Sequence, residues 1–115
     1  MERSKLESKI LESKITAEIM RYLKKVPYLF FWKEHGGMYG TAGIPDIICC
    51  YQGRFLAFEV KRPGERPTKL QEKTIKDIQE AGGIVYVVNS VDDVKKYFES
   101  LNKSLCRKKL KEVVS

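Results

Sequence analysis

The chain is short of the residues that build disulfide frameworks, and it has no long apolar run. Its three cysteines are an odd number, without the paired spacing of zinc ligands. Cys49 and Cys50 are adjacent and would face opposite sides of a strand, so they read as reduced core residues, with Cys106 exposed. No stretch is apolar enough for long enough to span a bilayer. Met1-Glu2-Arg3-Ser4-Lys5 lacks the apolar stretch of a secretory signal. These absences lead us to expect a soluble, cytoplasmic protein. Acid is also in the minority: 15 Asp and Glu stand against 22 Lys and Arg, a formal charge of +7. That balance favours a polyanionic partner. A membrane surface fits less well, because no helix joins a wide apolar face to a continuous basic one. At 115 residues there is room for one modest core, and no linker divides it.

The pattern along the chain predicts an α/β domain in the order helix, three strands, helix, strand, helix. Leu11, Ile15, Ile19, Tyr22, Leu23 and Val26 recur at three- and four-residue steps, giving a helix over Ser4–Lys25 that Pro27 ends. Tyr28–Trp32 is a first strand, and its aromatic run Phe30-Phe31-Trp32 continues the apolar pattern as core. Gly36, Gly37, Gly40 and Gly43 make a permissive loop. Ile44–Tyr51 and Arg54–Lys61 are strands joined at Gln52-Gly53 as an antiparallel hairpin. Thr68-Lys69-Leu70-Gln71 fits a capping box opening a helix to Ala81, which Gly82-Gly83 closes. Ile84–Val88 is the fourth strand. Ser90 caps a last helix with Val91, Val94, Phe98 and Leu101 on one face. Residues 1–101 form the domain, and 102–115 a basic tail that includes Arg107 to Lys111.

The hairpin concentrates the chemistry. Alternation along Arg54–Lys61 points Leu56, Phe58 and Val60 one way, and Phe55, Ala57, Glu59 and Lys61 the other. The hairpin's open end then sets Asp46 beside Glu59. Two carboxylates converging in an apolar setting resist ionisation unless a cation neutralises them, and hard oxygen ligands suit Mg²⁺ or Mn²⁺. The plainer alternative is a strand-start turn residue at Asp46 and a same-face ion pair between Glu59 and Lys61.

Pro45-Asp46 followed by Glu59-Val60-Lys61 resembles the two halves of the motif of the PD-(D/E)xK nuclease superfamily. The wider string is His35–Asp46, then Glu59–Gly64, then Thr68 and Gln71. It looks like the small stand-alone VRR-NUC branch, the phage and bacterial type similar to Holliday-junction resolvases. The likeness spans roughly residues 12–98. It implies a restriction-endonuclease-like core, a central four-stranded mixed sheet flanked by helices. It also implies a metal-dependent DNA endonuclease, homodimeric and selective for branched DNA in replication, recombination or repair. Asp46, Glu59 and the Val60 carbonyl, with Glu12 directly or through water, would hold one or two Mg²⁺ ions. Lys61 would orient or help deprotonate the attacking water. The competing readings are a non-catalytic nucleic-acid-binding module on the same fold and a restriction-type or transposon endonuclease subunit.

Glu12 is the candidate third acid, because at about 100° per residue it falls in the stripe of Ile15, Ile19 and Leu23, while Glu7 and Glu18 fall at its margin or beyond. Gln71 matches a glutamine that follows E-x-K in the similar family and could touch metal-bound water or phosphate, yet its capping-box position explains it locally. His35, the one histidine, could contact DNA or relay a proton, or be polar surface. Lys33, His35, Arg62, Arg66, Lys69 and Lys73 would flank the site and contact phosphates.

Overall fold

Gln52 and Gly53 both take positive φ, 49° and 80°, the two-residue turn whose twist matches that of the strands it joins. In this computed structural model, which describes residues 5–35 and 42–114 (104–114 by their backbone alone), that turn organises the sheet. The elements are α1 (Lys5–Leu23), β1 (Leu29–Lys33), β2 (Ile47–Tyr51), β3 (Arg54–Val60), α2 (Lys69–Glu80), β4 (Ile84–Val88) and α3 (Val91–Val114). The strands lie in the order β1-β2-β3-β4. β1–β2 and β2–β3 are antiparallel, whereas β3–β4 is parallel because α2 carries the chain back. The result is the mixed four-stranded sheet flanked by helices that the sequence predicts. No helix among the described residues is long and apolar enough to cross a membrane.

The two sheet faces are covered unequally. On one, Ile47, Cys49, Tyr51, Leu56, Phe58, Val60 and Val88 are buried under Ile15, Ile19 and Leu23 of α1 and Val94, Phe98 and Leu101 of α3. Phe98 stands edge-on to Tyr51, ring centroids 5.0 Å apart, and the Tyr51 hydroxyl donates to Asn102 Oδ1 at 2.5 Å. On the other face Ile48, Ala57 and Val85 are buried with Ile44, Ile75 and Ile78 packed against them. Here α2 packs on β4, and the edge strand β1 has no helix above it among the described residues.

That asymmetry corrects two expectations. Phe30 and Trp32 are not core: they remain 69% and 44% exposed, because they point to the face that α2 leaves bare, and only Phe31 is packed against the main core. Cys49 and Cys50 do face opposite sides, but Cys50 is exposed while Cys49 is buried, where burial pushes its thiol up to about 12. Element ends shift slightly. α1 tightens after Leu23 into three-residue turns, Lys25 N to Tyr22 O and Val26 N to Leu23 O, and β2 starts at Ile47 because Pro45 has no N–H for a ladder. The basic tail continues α3 as helix. Gly36, Gly37 and Gly40, and the side chains of Cys106 and of Arg107 to Lys111, lie outside the described residues.

A Cβ at Gly53 would meet nothing within 4 Å, so Gly53→Ala isolates the backbone cost of positive φ. It should destabilise the protein by about 1–2 kcal/mol in urea unfolding, with an unchanged m-value.

Candidate active site

The site is the open end of the β2–β3 hairpin. One step beyond the Ile47–Phe58 pair, the register sets Asp46 opposite Glu59. Asp46 is pinned three ways by chain geometry. Pro45 fixes the approach, Glu34 N donates to the Asp46 carbonyl at 2.8 Å, and Val60 N donates to Asp46 Oδ2 at 2.7 Å. The carboxylate is thereby bonded to the strand end that carries its partner acid. Lys61 N, donating to Val88 O at 2.9 Å, continues the parallel ladder one residue further and holds the lysine against the sheet.

Glu59 is only 1% exposed. Gln71 Nε2 donates to its Oε1 at 3.3 Å, and Lys61 Nζ is 3.8 Å from the same oxygen. No donor of the described residues reaches Oε2. Burial first, then the charge of Asp46 and a hydrogen bond with it, raise the Glu59 carboxyl to about 8, against the lowering effect of Lys61. Below about pH 8 the Glu59 carboxyl therefore resists ionisation unless a cation stands beside it.

Gln71 serves two ends at once. Its Oε1 accepts from Thr68 N at 2.9 Å and its backbone N donates to Thr68 Oγ1 at 3.2 Å, completing the capping box of α2. The amide nitrogen of the same side chain reaches Glu59. Local capping and contact with the site, which the sequence leaves as alternatives, are both present.

Sequence reasoning missed Glu65. Arg62-Pro63-Gly64-Glu65 is a β-turn with Gly64 at φ 85° and Glu65 N bonded to Arg62 O at 3.0 Å. Proline followed by glycine at the two central positions is its signature, so the turn was legible. It folds Glu65 back over the motif: Oε1 is 3.6 Å from Lys61 Nζ and Oε2 accepts from Arg62 Nε at 2.6 Å. The Arg62 hydrogen bond, with Glu12 and Lys61 contributing, holds the Glu65 carboxyl below its ordinary value. Burial, then the hydrogen bond and charge of Glu65, raise Glu12, which also feels Lys61 and Asp46.

The structure thus brings Asp46, Glu59, Lys61, Gln71 and Glu12 to one end of the sheet, with Glu65 among them. Glu7 and Glu18 are exposed, and Glu18 lines a separate groove with Arg21, Tyr22, Lys25, Val91 and Lys95. Of the flanking cations, Lys33, Arg66, Lys69 and Lys73 are exposed, as is His35 just beyond β1. Arg62 is half-buried and engaged by Glu65.

Among the described residues no three Asp, Glu, His or Cys side chains converge into a metal cage. A carboxylate pair with an unbonded buried oxygen nevertheless fits a hard cation such as Mg²⁺, which binds through one or two carboxylates and completes its shell with water and substrate phosphate. Asp46 and Glu59 would be those carboxylates, and the Val60 carbonyl a further oxygen. Glu12, whose carboxyl engages Glu65, is better placed to act through water than directly.

A family model described as the VRR-NUC domain matches residues 1–92. A solved structure described as a VRR-NUC domain protein superposes with a TM-score of 0.60 at 21% identity, covering 76% of this chain and 84% of its own. At that identity the likeness shows the fold alone. No curated protein matches.

The raised Glu59 carboxyl has a stability consequence in chelator. Between 4.5, its ordinary value, and about 8, the folded protein holds a proton that the unfolded chain has released, so stability falls as pH rises through that window. Each pKa unit is worth roughly 1.4 kcal/mol, so the loss should reach a few kcal/mol. Glu59→Gln should flatten the dependence and raise the melting temperature at pH 8. A wild type that instead gains stability from pH 5 to 8 would show Glu59 already ionised.

Proposed function

The chain belongs to the VRR-NUC family and carries a nuclease-type domain, and from that premise we propose a divalent-metal-dependent endonuclease that hydrolyses DNA phosphodiester bonds. The observation that carries the chemistry is the buried Glu59 carboxylate beside Asp46, one oxygen bonded by Gln71 and the other without a donor, with Lys61 within ion-pair distance.

Bound Mg²⁺ or Mn²⁺ would supply positive charge to the phosphate and acidify the attacking water. The rest falls to the chain's own residues. Asp46, held by Val60 N, and Glu59, held by Gln71, present their remaining oxygens with little rotational freedom, so ordering them costs nothing at the moment of reaction. Lys61 Nζ, suspended between Glu59 and Glu65, is a single fixed cation that can orient the incoming water and stabilise charge growing on the phosphate, a task for a point charge rather than the planar fork of an arginine. Glu65 keeps that ammonium from swinging into solvent. Water oxygen adds to phosphorus as the water gives up a proton to solvent, the bond to the leaving strand breaks, and the departing oxygen takes up a proton from solvent.

The leading substrate is branched DNA. One site of this size cuts one strand, so symmetric cuts need a homodimer. The formal charge of +7 and the exposed Lys33, Arg66, Lys69 and Lys73 support backbone contacts that read shape rather than base identity.

Asp46→Ala, Glu59→Ala and Lys61→Ala should each abolish cleavage while keeping circular dichroism and a cooperative melt. Glu12→Gln should lose most activity, and Glu7→Gln and Glu18→Gln should keep theirs. EDTA should stop the reaction and Ca²⁺ should stabilise the protein without turnover, so undiminished cleavage in excess chelator would overturn the mechanism.

Light scattering should give a dimer, and labelled four-way junctions should be nicked at paired positions faster than linear duplex. Arg66→Ala with Lys69→Ala should weaken binding and lower the salt slope by about two. A monomer that cuts linear duplex as fast as a junction would point to a general nuclease.

A further inference from the structure

Trp32, Phe55 and Phe30 are exposed aromatics on the same sheet face as the active-site acids. The register places Phe30, Cys50 and Phe55 in one row across the strands and Trp32, Ile48 and Ala57 in the next. The row after that holds Glu34, bonded to the Asp46 carbonyl, then Asp46 and Glu59. The aromatic surface is therefore continuous with the catalytic end. Between the rows lies an open cavity on the sheet surface, about 290 Å³, lined by Trp32, Glu34, Ile44, Ile48 and Phe55, just below the size of ligand pockets (~300–1,000 Å³). Its single carboxylate is oriented, since Trp32 Nε1 donates to Glu34 Oε2 at 2.9 Å.

From this arrangement we infer that the cavity receives one unpaired nucleobase adjoining the cleaved phosphate, against the Trp32 and Phe55 rings with Glu34 accepting from an exocyclic amino group. The inference rests on the nuclease reading of the neighbouring acids. Its occupant follows from three features. An apolar cavity with an acid at its rim repels phosphate but accepts a flat ring bearing amino hydrogens. The cavity shares Glu34 with the strand pair that fixes Asp46, so whatever fills it lies next to the scissile bond. The net charge of +7 attracts the polyanion whose bases are the flat rings in question. A base stacked within duplex cannot enter without leaving its helix, so the cavity selects for strands already unpaired, such as flaps and junction centres. Stacking on aromatic faces is tolerant of base identity, while the Glu34 contact favours adenine, cytosine and guanine, which carry an exocyclic amino group, over thymine.

Trp32 is the one tryptophan of the chain, so its emission reports on the cavity directly. In EDTA, where cleavage plays no part, a mixed-sequence octanucleotide should quench that emission, and an octamer of abasic sugar-phosphate should not. The abasic octamer should also bind roughly 5- to 100-fold more weakly. Phe55→Leu keeps an apolar side chain at a half-exposed position and should retain the melting temperature. It should bind the octanucleotide more weakly and lose most of the discrimination against the abasic chain. Equal quenching by the two octamers, or binding of neither, overturns the base pocket, while the cleavage assignment stands or falls separately on the chelator and variant tests. Emission that changes with protein concentration alone, tracking a monomer–dimer equilibrium, assigns the surface to a second copy and also overturns the inference.

Discussion

A carboxylate buried to 1% exposure with an unbonded oxygen is costly to ionise, and the open end of the sheet is built around Glu59 for that reason. The sheet interior removes it from water. Asp46 adds a second like charge, which Val60 N holds in place. Gln71 and Lys61 favour the ionised form from one side only, both on Oε1. The other oxygen is left for a proton or a cation, and in a desolvated setting the choice between them is decided by whichever supplies more charge.

Around this centre the connections have double duties. Gln71 closes the first turn of α2 and braces Glu59, so the helix start and the acid cannot move independently. The Arg62–Glu65 turn ends β3 and returns a carboxylate to Lys61, so the lysine is held by an acid on each side. Removing one such side chain therefore perturbs both a fold element and the site, and only isosteric changes separate the two effects.

The unequal covering of the sheet has a similar logic. α1 and α3 together seal one face into the main core, whereas α2, twelve residues long with no fully buried side chain, covers little beyond Ile48, Ala57 and Val85. The core thus resides on the face away from Glu59 and Lys61. On the face that carries the acids, Phe30 and Trp32 of β1 stay exposed among the described residues.

Local physics made much of this legible in the residues alone. Gln52-Gly53 dictated the hairpin, because positive φ at both positions suits few residue pairs. The hairpin in turn dictated that Asp46 meet Glu59, since alternation and register allow no other pairing. Thr68 and Gln71 specified a capping box, and the three-to-four-residue recurrence of Ile15, Ile19 and Leu23 specified the buried stripe of α1. Other features depend on contacts between segments distant in sequence, which periodicity does not encode. Phe30 and Trp32 have the apolar pattern of a core strand, yet their exposure was decided by where α2 docks. Glu65 lies in a turn whose signature is plain, but its closeness to Glu12 depends on α1 packing against β3. The Gln71 amide could be assigned to the cap from sequence, and its second bond to Glu59 arises only because the β3–α2 connection brings the helix start against the strand end. Sequence determined the elements, the hairpin register and the acid pair through short-range sterics and alternation. Tertiary packing alone decided which oxygen lacks a donor, which aromatics stay exposed and which carboxylate steadies the lysine, because each is a property of surfaces that meet only when the chain is folded.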